Sequence, residues 1–207
     1  MSGAASPADP LPGENWTLRI PLADLEDTAD FAHRLSAQLQ AGDLLVLTGG
    51  LGAGKTTFTQ ALGQALGVQG PISSPTFILS RIHPNDDGPD LVHVDAYRTD
   101  AEGLESLDLP ATQSDSVTVV EWGRGLVEDA LAGPGGSWLD IELLTQQDPS
   151  ASAAADAAPR TPETPDQADG AIRTDFSETE EDLLGTPRTV VLRGYGPRWQ
   201  HPPLPGS

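Results

Sequence analysis

A glycine-rich octapeptide, Gly49-Gly50-Leu51-Gly52-Ala53-Gly54-Lys55-Thr56, is the feature of this chain that most restricts its fold. It has the form G-x-x-x-x-G-K-[ST], and its setting matches. Upstream, Asp43-Leu44-Leu45-Val46-Leu47-Thr48 is a short apolar run that predicts a buried strand. Downstream, Phe58, Ala61, Leu62, Ala65 and Leu66 follow helical spacing, and Gly67 suits a C-terminal cap. Strand, glycine loop and helix in that order predict an α/β domain of the P-loop NTPase-like kind, three layers deep. Glycines at 49, 52 and 54 let the backbone curl so that its N–H groups point into one concave nest. The helix adds its positive N-terminal end. Lys55, the only lysine in the chain, adds a point charge where a nucleotide's β- and γ-phosphates need one, and the Thr56 hydroxyl is placed to ligate Mg²⁺.

Further strands are expected at Trp16–Ile20, Phe77–Ile82, Leu91–Asp95, Val117–Glu121, Trp138–Leu144 and Arg188–Arg193. The turn-rich His83–Pro89 between the second and third makes them a hairpin, so the sheet is expected to mix parallel and antiparallel pairs. Thr28, Phe31, Ala32, Leu35 and Leu39 share one helical face that Gly42 stops, and Gly125 to Leu131 reads as a short helix. Residues 1–14 and 197–207 read as disordered tails, 15–145 as the ATPase domain and 188–196 as its closing strand. Between them, 146–187 reads as a disordered acidic insertion: residues 148–187 hold ten acids against Arg160 and Arg173 and few large apolar groups.

The formal charge is −20, which disfavours direct binding to phosphate backbones. Without cysteine there are no disulfides, thiolate nucleophiles or cysteine metal sites. Neither a secretory signal nor an apolar run of membrane-spanning length is visible, so a soluble, cytoplasmic protein is expected.

A P-loop needs an acid to hold the metal or polarise water, commonly at the end of a buried strand. Asp95 and Glu121 both end apolar runs; each could equally cap a strand exit or pair with Arg98 or Arg124. Thr76, in Ser73-Ser74-Pro75-Thr76-Phe77, could present a hydroxyl to a γ-phosphate or simply occupy a turn. His93 reads as a packed strand residue, and Trp122 as packing that fixes the Glu121 carboxylate. The N-K-x-D device of guanine-specific GTPases cannot exist here, because the sole lysine is already used. No LSGGQ-type signature is present.

Four motifs in order and spacing, Gly52-Ala53-Gly54-Lys55-Thr56-Thr57-Phe58, Ser74-Pro75-Thr76-Phe77, His93-Val94-Asp95-Ala96-Tyr97-Arg98 and Glu121-Trp122, resemble the TsaE (YjeE) family. These are small bacterial P-loop ATPases of tRNA threonylcarbamoyladenosine biosynthesis. The resemblance implies an ATPase that drives cycles of a complex modifying adenosine 37 of tRNAs that read codons starting with A. It implies TsaD, which performs the transfer, and TsaB as partners, with tRNA contacted only through them. It further implies ATP phosphates on Gly52, Ala53, Gly54, Lys55, Thr56 and Thr57, and Mg²⁺ on Thr56 and Glu121. Asp95 becomes the acid needed for turnover, with Lys55 and Glu121 completing the catalytic set. Thr76 would lie in a switch-like loop, the helix bearing Thr28 near the adenine, and Gly185 on a loop touching the nucleotide. The family usually has an acid where this chain has Gly50. Two other readings stand beside it: a small P-loop metabolite kinase with an arginine lid from Arg98 or Arg124, and an assembly switch in which ATP binds and hydrolysis is incidental.

Overall fold

In a computed structural model, the structure describes residues 9–75, 79–97, 99, 103, 109–145 and 187–204. Seven strands form one mixed sheet in the order β1-β7-β6-β2-β5-β4-β3. They are β1 (Glu14–Leu22), β2 (Leu44–Thr48), β3 (Ser80–His83), β4 (Asp90–Asp95), β5 (Ser116–Glu121), β6 (Trp138–Thr145) and β7 (Arg188–Tyr195). The centre is parallel: β2 lies between β6 and β5, and β5 pairs with β4. Antiparallel pairs close both flanks, β3 with β4 on one side and β7 with β6 and β1 on the other. The central strands are buried on both faces, which is why they read as continuous apolar runs rather than alternating ones.

Helices α1 (Leu25–Ser36) and α2 (Lys55–Leu66) cover one face. Asp24 caps α1 by accepting from the Asp27 N–H, and Phe31, Ala32 and Leu35 form its buried stripe. The phenyl rings of Phe31 and Phe58 meet at 5.4 Å between the two helices. The main core joins them to Leu45, Leu47, Leu91, Val117, Val119, Ile141 and Leu192 of the sheet. α2 stops at Gly67, whose φ of 84° lets its N–H turn back to the carbonyls of Gly63 and Gln64. The opposite face packs Leu44, Val46, Val92, Val94 and Val120 against Leu109 of α3 (Leu109–Gln113) and Val127. Further along that face the packing turns ionic: Arg193 bridges Asp140 at 3.0 Å and Glu142 at 2.8 Å, and Arg124 reaches Asp140 at 3.3 Å.

The structure departs from the sequence expectations in several places. The helix expected at Gly125 to Leu131 is a turn followed by one π turn, Glu128–Ala132; the Glu128 carboxylate accepts from the N–H groups of Gly125 and Val127 and holds the turn open. The segment after Pro197 is not a loose tail over its described length. Pro197–Trp199 forms a 3₁₀ turn, and Trp199 and Leu204 are buried in the main core. The Trp199 carbonyl accepts from Trp16 Nε1 at 2.7 Å and Asn15 Nδ2 at 3.0 Å, so two apolar anchors outweigh the proline-rich local signal. Leu11 donates its N–H to the Tyr195 hydroxyl at 3.0 Å, which ties part of the leading segment to β7. Residues 146–186, 1–8, 205–207 and Phe77–Ile78 lie outside the described residues.

Candidate nucleotide-binding site

The parallel register brings three strand ends together. Leu47 of β2 pairs with Glu121 of β5, and Glu121 pairs with Asp95 of β4. Ligands of open α/β sheets bind outside such carboxyl ends, and here β2 runs directly into the glycine loop. Gly49 and Gly54 have φ of 137° and 94°, left-handed backbone that other residues rarely adopt. Space forbids a side chain at Gly49 and crowds one at Gly54. A Cβ on Gly49 would strike the Leu143 carbonyl, and one on Gly54 would come within 3.2 Å of the Arg188 guanidinium. Gly54 is also the N-cap of α2, with no side-chain cap and no acid in the first turn. The first N–H groups of α2 therefore keep their affinity for an incoming anion.

Lys55 is buried, and its ammonium donates to the carbonyls of Gly49 at 3.0 Å and Gly50 at 2.9 Å. It also sits 3.7 Å from the centre of the Trp122 ring. Trp122 holds φ of 62° just past β5, donates its N–H to Leu47 O at 2.9 Å and packs against Tyr97 at 5.0 Å. Thr56 donates its hydroxyl to the Glu121 carboxylate, 3.0 Å from Oε1 and 3.3 Å from Oε2. His93 Nε2 lies 2.8 Å from the same Oε1. Asp95 accepts from the Ser74 hydroxyl at 3.2 Å and the Tyr97 N–H at 3.0 Å. Two strand-end carboxylates, a hydroxyl and an ammonium thus surround one glycine loop. Oxygen donors of this kind suit Mg²⁺, which binds through one or two protein groups and leaves the rest of its shell to phosphate and water. Among the described residues no cluster of three or more His, Cys, Asp or Glu forms a separate metal cage.

Gly52, Ala53, Gly54, Lys55, Thr56 and Thr57 lie together in the loop and the first turn of α2. Thr28 does not point a free hydroxyl anywhere: it is buried on α1 and donates to the Asp24 carbonyl at 3.0 Å. Its neighbour Asp27 instead lines a cavity of about 380 Å³ with Leu22, Ala23, Leu144 and Arg188. Thr76, Gly185 and Arg98 lie outside the described residues. Arg124, the other arginine considered for a lid, is engaged with Asp140 and with the Asp9 carbonyl. Sequence reasoning left two contacts unassigned. His93 is the packed strand residue expected, with no solvent exposure, and it also bonds Glu121 from the face it shares with Asp95 two residues on. Arg188 reaches Gly54 across a long stretch of chain, and no local pattern announces it.

A mixed sheet with a glycine loop joining its central parallel strand to a helix defines an α/β protein of the P-loop NTPase-like class. Residues 22–152 match the family described as threonylcarbamoyl adenosine biosynthesis protein TsaE. The chain belongs to that family.

Its similarity to individual relatives agrees. It is 55% identical over 103 residues to the tRNA threonylcarbamoyladenosine biosynthesis protein TsaE of Streptomyces coelicolor, covering 48% of this chain and 70% of the relative. The Mycobacterium bovis protein of the same name is 48% identical over 116 residues, 52% of this chain and 69% of the relative. The fold is also that of a crystal structure of Bacillus subtilis YdiB, with a TM-score of 0.57 at 24% identity, covering 89% of this chain and 90% of that one.

Proposed function

We propose that this chain binds ATP with Mg²⁺ and hydrolyses it, as the ATPase component of the machinery that makes N6-threonylcarbamoyladenosine at position 37 of tRNA, acting on a TsaD–TsaB complex. The observation that carries the reading is the meeting of Lys55, Thr56, Asp95 and Glu121 around one glycine loop at the ends of parallel strands. Lys55 and the loop N–H groups would bind the β- and γ-phosphates, with Arg188 beside Gly54 as a second cation. Thr56 and Glu121 would hold Mg²⁺, which when bound supplies charge neutralisation to the phosphates. Asp95, held by Ser74 and the Tyr97 N–H, would orient the attacking water. The adenine end would lie in the cavity between Leu22, Ala23 and Leu144, against Asp27 of α1. A net charge of −20 supports a role in which partners, not this chain, contact the tRNA backbone.

The test is calorimetry with ATP and ADP, with and without Mg²⁺, followed by capture of a TsaD–TsaB pair with ATP, ADP or no nucleotide. Mg²⁺-dependent binding of adenine nucleotide, and nucleotide-dependent capture lost in Lys55→Ala, support the proposal. Absence of nucleotide binding by folded protein refutes it.

A further inference from the structure

His93 has no solvent exposure and lies in the middle of β4, on the sheet face that α2 covers. Its register partner is Val119, so its ring sits two pairs below the pairing of Asp95 with Glu121, on the same face, and reaches diagonally across to Glu121. A carboxylate only accepts, so the contact of 2.8 Å is a hydrogen bond donated by Nε2–H. Nδ1 is buried and has no partner among the described residues. Among the described residues the ring therefore hydrogen-bonds a single group, the Glu121 carboxylate.

An imidazole costs more to bury than an aliphatic side chain of similar size, and packing alone does not call for one. Its position accounts for it. Glu121 is gripped from two sides, by Thr56 from the start of α2 and by His93 from the sheet. Thr56 is itself a proposed Mg²⁺ ligand, so its hydroxyl is not a permanent anchor for the carboxylate. His93 remains.

We infer that His93 is a positioning residue for divalent-metal binding: its Nε2–H orients the Glu121 carboxylate toward the Thr56 hydroxyl, so that the two present their oxygens to the metal together. The inference rests on the reading that Thr56 and Glu121 hold Mg²⁺. Outer-shell donors of this kind typically change metal affinity by about 10–100-fold.

Two variants of the full chain separate orientation from packing. His93→Leu keeps approximate volume and removes the donor; His93→Gln keeps an amide N–H at similar reach. The readouts are Mn²⁺ affinity by electron paramagnetic resonance in the presence of ADP, ADP affinity without metal, and the melting temperature. His93→Leu is expected to weaken Mn²⁺ binding at least about tenfold while leaving metal-free ADP affinity unchanged, with His93→Gln restoring most of the loss. A residue that only packs would lower the melting temperature and weaken both affinities together, or neither. Wild-type Mn²⁺ affinity in a folded His93→Leu protein overturns the inference. Should His93→Leu not fold, His93→Asn carries the same prediction, because its shorter amide cannot reach Glu121, and unchanged Mn²⁺ affinity there overturns it equally. If wild-type protein with ADP binds no Mn²⁺, the reading of Thr56 and Glu121 as a metal site fails first, and the inference with it.

Discussion

The Thr56 hydroxyl donates to both oxygens of Glu121, at 3.0 and 3.3 Å, across the gap between the start of α2 and the end of β5. The two residues lie 65 positions apart in the chain, yet they meet at one point. Removing either should abolish the same function. Glu121→Ala and Thr56→Ala are each expected to lower kcat for ATP hydrolysis about 100-fold or more, and the double variant should be little worse than either single one. Steady-state phosphate release checks this. Strict additivity of the two losses would show that they do not form one unit.

Lys55 should report on ligand binding through Trp122. Its ammonium sits 3.7 Å from the centre of the indole ring and bonds loop carbonyls. An incoming phosphate that draws the ammonium away changes the indole's electrostatic surroundings. ATP is expected to shift tryptophan emission in wild type, and Trp122→Phe should abolish the shift although Trp16, Trp138 and Trp199 remain. Lys55→Ala should weaken ATP binding by about 10–100-fold, the worth of one charge-assisted contact. An unchanged ATP affinity in Lys55→Ala would contradict the assignment.

Asp140 gives the fold a pH dependence of defined sign. Burial pushes its carboxyl above the ordinary value of 3.8, against the opposing pull of Arg124 and Arg193. A raised acid binds its proton more tightly folded than unfolded. Its stabilisation is therefore fully present below the unfolded value and is lost as pH climbs through the folded one. Asp140→Asn has no such proton to lose. Relative to this variant, wild type is expected to lose stability as the pH rises from about 4 towards neutrality, measured by denaturant unfolding at stepped pH. A pH-independent difference between the two proteins would refute it.

Trp199 anchors the C-terminal segment. It is buried in the main core, and its carbonyl accepts hydrogen bonds from Trp16 and Asn15 of β1. Trp199→Ala is expected to cost about 3–5 kcal/mol of unfolding free energy. Truncation after Gly196 should cost at least as much, since it removes Leu204 as well. Chemical denaturation of both forms tests this. Near-wild-type stability of the truncated chain would show that the segment is dispensable.

Much of this protein was legible in its residues. The glycine loop, the strand before it and the helix after it are local features, set by backbone freedom at glycine and by apolar spacing over a few turns. Asp95 and Glu121 stood out because each ends an apolar run and a P-loop needs an acid at such a strand end. What tertiary structure alone decided is which distant groups meet. The parallel register placed Glu121 beside Asp95 and opposite Thr56, and it brought His93 under the carboxylate. The return of β7 laid Arg188 on Gly54, and the burial of Trp199 made core from a proline-rich stretch. Those outcomes depend on strand order and on contacts between residues far apart in sequence, which local propensity does not encode.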